Sequence, residues 1–470
     1  MSTYLHGVET IDVTQGARTV SVVASAIIGL VGIAPTGPKN TPILVNGDTD
    51  AAQFGSKIPG FTIPQALDAI FKQGAGTVIV VNTFDDTLNT VAVTDEQQTV
   101  TKGKLVLNAA PIGVVTIKNA GGDPATYQQG VDYSLDEYGN FTVLSSAIVE
   151  SAVLKFSYRK LDITDVAPAQ IIGTVDAEGD RTGMKCFDLT FNLFGFTPKI
   201  LIAPGFSNIS AISTEMLSYA AKYRAIALLD ATAGSTVQQA IASRGIAATS
   251  NFNTSSNRAY LLYPMLKAYD PATQQNVNFP YSAFMAGVIA ATDNNEGFWV
   301  SPSNHEIVGI VGAERNISAG ISDTSSEANQ LNAVGITTIF NTYGTGIRTW
   351  GNRSAAYPTN TGADNFIPVL RTKDVLHDSV EQAVLQFLDK PINSAWIDSV
   401  KETVNSFIRT LIQRGALVDG SCTFDKNKNP NTELAAGHVV FDIAFMPPTP
   451  AERITFKSFI DISLLNSLGV

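Results

Sequence analysis

Two cysteines in 470 residues rule out a disulfide framework for this chain. Cys186 and Cys422 lie far apart at no metal-ligand spacing, so each reads as a lone structural thiol. Histidine is equally scarce. His6, His305, His377 and His438 each lack a second histidine or cysteine at ligand distance, and no metal centre is predicted. Charge is sparse too, at 16% of residues, while 44% are hydrophobic. A disordered chain is therefore excluded, and the weakly charged surface suggests that part of it meets protein rather than water. Cations are outnumbered by anions, giving a formal charge of −11. An acidic chain repels phosphate backbones, so nucleic acid is not an expected partner. Long apolar runs are missing. The longest, residues 20–34, contains Ser21, Ser25, Gly29 and Gly32. It covers about 15 residues where a spanning helix needs about 20, so it reads as buried strand and membrane insertion is not expected. No charged leader with a cleavage site opens the sequence, and folding in a reducing cytoplasm is expected.

What is present is a mosaic. The length implies several domains. Residues 7–13 read as a short extended segment, and residues 20–33 as one or two strands stopped by Pro35, Gly37 and Pro38. In 63–72, Ala66 with Ile70 and Leu67 with Phe71 fall at helical spacing, and 77–81 follows as a buried strand. That order begins an α/β layer. Between 88 and 161 helical spacing gives way to short alternating runs separated by turn-rich stretches at 119–124 and 137–140, which predicts an inserted sandwich or barrel. The α/β pattern resumes with strands at 199–203, 225–230 and 260–263 and helices at 210–223, 236–244 and 279–293. The last hundred residues predict a helix over 374–389 and a second, capped by Ser394, reaching Arg414. The second stripes Trp396, Val400, Val404, Phe407 and Leu411 on one face. After Pro447-Pro448, residues 453–462 alternate Ile454, Phe456, Ile460 and Ile462 with Arg453, Thr455, Lys457 and Asp461, predicting a strand with one buried face.

The expected fold class is α/β and α+β multidomain. A discontinuous α/β domain would take 26–87 and 165–345, an inserted all-β domain 88–164, and a C-terminal α+β assembly domain 346–470, with an arm at 453–470. Residues 1–25 would supply an N-terminal arm and strand to that assembly domain. Catalytic patterns are absent. Gly74-Ala75-Gly76 precedes a strand instead of following one, and Pro204-Gly205-Phe206-Ser207 lacks the closing glycine of a nucleophile elbow. Neither a catalytic residue nor a cofactor is predicted.

Several segments together carry a family resemblance. The opening run GVETIDVTQGARTVSVVASAIIGLVGIAP, then IPQALDAIFKQGAGTVIVV, is similar to the tail sheath proteins of contractile-tailed bacteriophages, especially the P2-like type. The segment 293–304 with Trp299, the run 331–336, and above all 346–354, with Arg348, Trp350 and Arg353, resemble that family's motifs. Residues 444–454 resemble its ending. The resemblance implies a structural, non-enzymatic subunit that polymerises as stacked hexameric rings around a tail tube. It implies baseplate and terminator proteins as further partners, a place in the virion tail, and contraction that drives the tube through the host envelope. Terminal arms would join neighbouring subunits, placing Gly7, Val8, Ile11, Val13, Arg453, Ile454, Phe456, Ile460 and Ile462 in inter-subunit strands. The helix bearing Lys401 and Arg409 would face the tube.

The residues read by themselves keep alternatives open. Trp350 between Arg348 and Arg353 suits a corner where guanidinium groups stack or pair, or simple packing. Asp293 and Asn304 would fix a turn around Trp299. A phage-derived bacteriocin or another contractile injection system would share every motif. A subtilisin-like hydrolase lacks its triad here, and a glycan-binding module has only the β insertion in its favour.

Overall fold

The computed structural model describes residues 24–468 apart from 122, 125, 246–248, 271–272 and 343. Gly7, Val8, Ile11 and Val13 lie outside the described residues. At the centre is an eight-stranded sheet in the order Gly346–Trp350, Ile336–Thr342, Ala259–Leu262, Ile226–Asp230, Ile200–Ile202, Ile27–Gly32, Thr77–Asn82 and Ile43–Val45. The six inner strands are parallel and the two outer ones antiparallel. Inner strands such as IIGLVG are buried at every position, because helices cover both faces of the sheet. Ile28 and Leu30 point into one core, with the helices Ile63–Phe71 and Tyr281–Asn295. Ile27 and Val31 point into the other, with Ser210–Tyr223. The helix Tyr281–Asn295 is buried almost all round and packs tightly on Ile63–Phe71. A Cβ on Gly287 would lie 2.7 Å from the Ile70 carbonyl oxygen, so only glycine allows that approach.

Two boundaries differ from the sequence expectation. Gly346–Trp350 pairs with Ile336–Thr342 across a tight hairpin, so the α/β sheet runs on to Trp350 and an edge at 346 would cut it. The helix expected from 374 begins at Ile367, where Pro368 occupies its first turn.

The insertion forms two three-stranded antiparallel sheets. One orders Thr90–Thr99, Val153–Leu161 and Ile112–Lys118; the other orders Lys104–Val106, Asn140–Val143 and Tyr133–Leu135. It has its own core around Phe141, Phe156 and Tyr158, with Tyr133 stacked on Phe141 at 4.8 Å. Its first and last strands pair Thr90 with Leu161, so chain entry and exit sit side by side.

The C-terminal layer packs Ile367–Val384 and Ser394–Gln413 with a hairpin, Asp419–Thr423 paired to Asp442–Met446. Val404, Phe407, Ile408, Leu411 and Cys422 form its core with Leu376. The cap of Ser394–Gln413 is Asn393, one residue before the serine expected; its side chain accepts from the Trp396 amide. Among the described residues no strand follows Met446. Residues 453–460 are exposed throughout, with Phe456 at 90% and Ile460 at 95%. The strand with a buried face expected at 453–462 therefore has no partner within the described subunit, and its apolar face is bare.

Candidate assembly site

The parallel strands all start at one edge of the sheet, and the helix Ile367–Val384 lies across that edge. Its charged residues Arg371, Asp374, Asp378 and Glu381 recur at three- and four-residue spacing, which puts them on one face. Their partners sit just ahead of individual strands. Asp374 accepts two bonds from Arg258, at 2.7 and 3.0 Å, beside the start of Ala259–Leu262. Asp378 pairs with Lys199, before Ile200–Ile202, and with Arg224, before Ile226–Asp230. Glu381 adds a second carboxylate to Arg224. Arg371 grips Asp293 at 2.6 and 2.8 Å and donates to the Ser25 carbonyl at 3.1 Å, before Ile27–Gly32. The Ser25 hydroxyl closes this group by donating to Asp293. Arg371 and Asp293 are only 5% and 4% exposed. At that depth their mutual pairing is what keeps either charge tolerable. Asp293 therefore ties two helices and the start of the sheet together; it does not hold a turn around Trp299.

Trp299 instead packs edge-on against Phe298 at 5.0 Å and covers Gly297, whose Cβ would meet the indole at 2.5 Å. Trp350 stacks on Phe340 at 4.5 Å. Arg348 donates to the Asn304 carbonyl. Arg353 does not stack on Trp350. Its guanidinium lies 4.5 Å from the ring centre of Tyr357 and 4.1 Å from that of Phe366, and it binds Glu452 through two nitrogens. The rings that Arg353 meets are thus Tyr357 and Phe366, and this corner holds the start of the C-terminal tail.

Lys401 and Arg409 are exposed on Ser394–Gln413, paired with Asp398 and Glu402 of the same helix. Between them on the same face, Asn405 bonds both backbone groups of Cys422, pinning the hairpin to the helix. Arg453, Ile454, Phe456, Ile460 and Ile462 project from the body as exposed tail. The charged stripe of Ile367–Val384 was visible as spacing in the sequence, but nothing there marked its partners.

In the 204–207 run, Pro204, Phe206 and Ser207 are buried. Ser207 is fully buried, with its hydroxyl on Asp230. Asp230 also accepts from the Ser282 amide and hydroxyl, while Asn251 ties the backbone of 207 and 230. Burial outweighs these donors and pushes the Asp230 carboxyl up to about 6. His377 sits edge-on to Phe445 at 5.9 Å, and burial beside Arg224 lowers its basicity. Among the described residues no cluster of three potential metal ligands occurs, and no helix is long and apolar enough to cross a membrane.

A doubly covered sheet with a clamped joint, an appended β domain and a bare apolar tail defines a structural subunit built to join others. Comparison with known proteins gives that class its family. Residues 179–355 match the phage tail sheath protein central domain, and 363–461 the phage tail sheath C-terminal domain. The chain is 45% identical to the tail sheath protein of Burkholderia phage BcepMu, over 99% of this chain and 98% of that protein. It is 25% identical to the tail sheath protein of Escherichia phage P2, over 100% and 98% of the two chains. Its fold superposes with a TM-score of 0.60 on the contracted sheath of an extracellular contractile injection system, covering 98% and 99% of the chains at 16% identity. The chain belongs to the phage tail sheath protein family, and it is a contractile tail sheath subunit of a phage or a phage-derived injection system.

Proposed function

We propose that this subunit polymerises through its two terminal arms, as hexameric rings stacked into a helix around a tail tube, without enzymatic activity. The observation that carries this reading is the tail after Glu452. Phe456, Phe459 and Ile460 lie in water with no partner strand among the described residues, and unpaired backbone of this kind gains bonds and burial by adding to a neighbour's sheet. The hairpin supplies a receiving edge. Asn405 occupies the outer side of Asp419–Thr423 at Cys422, which favours Asp442–Met446 as the strand that accepts a neighbouring arm. The N-terminal arm, with Gly7, Val8, Ile11 and Val13, would make the reciprocal link. Baseplate and terminator proteins would cap the polymer ends, and assembly in the host cytoplasm would precede incorporation into the virion tail. A discontinuous α/β domain, a peripheral insertion and a C-terminal assembly domain belong to this reading, with the α/β part extended to Trp350.

Ser394–Gln413 is proposed to face the tube through Lys401 and Arg409. Exposed pairs are worth about 0–1 kcal/mol singly, but a polymer repeats them around its circumference. Electron microscopy of purified subunits tests the arms. Deleting 1–14 or 453–470 should each give folded monomers that form no tubes, and normal tubes from both deletions would sink the reading. Lys401→Glu combined with Arg409→Glu should assemble but fail to retain tube protein; unchanged retention would give that helix another role.

A further inference from the structure

The root of the C-terminal tail is held in a way that the arm's joining role does not require. Residues 447–452, Pro-Pro-Thr-Pro-Ala-Glu, follow the last hairpin strand. Three prolines bias this strap towards a stiff extended form. Its far end is fixed to the body by Glu452, bound by the Arg353 guanidinium at 2.6 and 3.0 Å. The two partners are unequally committed. Arg353 is 18% exposed and sandwiched between Tyr357 and Phe366, so its position is set whether or not Glu452 is there. Glu452 is 40% exposed and can withdraw into water. A pre-set fork opposite a removable carboxylate describes a latch rather than a permanent brace.

We propose that Arg353 and Glu452 form a releasable latch on the C-terminal arm. Closed, it lets free chain begin at Arg453. Pro447 is buried and Pro448 half-buried, so with the latch open free chain begins at Thr449. The four extra residues, at about 3.1 Å each in an extended proline-rich form, let the start of the arm swing through a radius of about 12 Å about Pro448. The free subunit keeps the latch closed, so its apolar tail searches a small volume. Capture of the tail by a second copy opens it, and the reach gained lets connected subunits separate and slide. The inference rests on the arm reading above, and it gives Arg353 of the 346–354 motif a role beyond packing.

Spin labels on Thr359→Cys and on Ala451→Cys, inside the strap, would report it in the full chain, because native Cys186 and Cys422 are buried. The parent monomer should give a narrow label-to-label distance distribution. Glu452→Gln should broaden it and lengthen its mean, and so should Arg353→Lys, which keeps the charge but loses the fork. Glu452→Gln should also shorten the lag of tube formation severalfold. Identical distributions for parent and Glu452→Gln would overturn the latch, as would an unchanged lag in a chain that polymerises. A parent chain forming no tubes at all would fail the sheath-arm reading instead, and the monomer distances would still judge the latch.

Discussion

Two buried acids are held in different ways. Asp293 is paired with Arg371, and both side chains are almost fully enclosed. Asp293→Ala leaves a guanidinium without its counter-charge and should cost about 3–5 kcal/mol, read as a lowered denaturant midpoint. Glu381→Ala removes a carboxylate that is 61% exposed from an arginine that retains Asp378, and should cost less than about 1 kcal/mol. Equal losses for the two variants would contradict this account of the joint. Asp230 is buried among hydroxyls and an amide with no cation, and its carboxyl titrates at about 6 instead of the ordinary 3.8. Between those two values the folded chain keeps a proton that the unfolded chain has released. Folding stability contributed by this group is therefore complete below about pH 4, is lost as pH rises to about 6, and stays lost above. At about 1.4 kcal/mol per pH unit the loss approaches about 3 kcal/mol. Urea unfolding from about pH 4.5 to 7.5 should show this slope in the parent chain and a flatter one in Asp230→Asn.

At the scale of elements, periodicity was informative wherever the covering surface lies in the same chain. The expected helix at 210–223 coincides with Ser210–Tyr223, and the buried strands at 77–81 and 225–230 match Thr77–Asn82 and Ile226–Asp230. Alternation at 453–462 said which face seeks burial and nothing about what covers it, so the expected buried face is exposed here. The partners of the charged face of Ile367–Val384 were beyond reach for a related reason. Arg371 and Asp293 are 78 residues apart and Lys199 and Asp378 are 179 apart, and no local pattern encodes such pairings. For the Arg353 motif the sequence left stacking, pairing and simple packing open, and neither its rings nor its Glu452 partner was legible. The insertion gives an element-scale prediction. It has a separate core, and Thr90 faces Leu161 where it joins the body. Replacing 90–162 with a short Gly-Ser linker should leave tube formation intact. Folded deletion subunits that stay monomeric would show that the insertion takes part in assembly.

For the whole molecule, the division of labour follows from where the contacts are. The α/β domain and the C-terminal layer meet across the amino edge of the sheet through Arg371, Asp374, Asp378 and Glu381. The tail, by contrast, is tied to the body at Glu452 and bare beyond it. In mechanical terms these are two springs in series, one stiff and one compliant. On the proposed arm reading, load on a contracting sheath passes through both, and the extension collects in the softer one. The joint between the domains would then move little, and the travel between neighbouring subunits would follow the length of the slack.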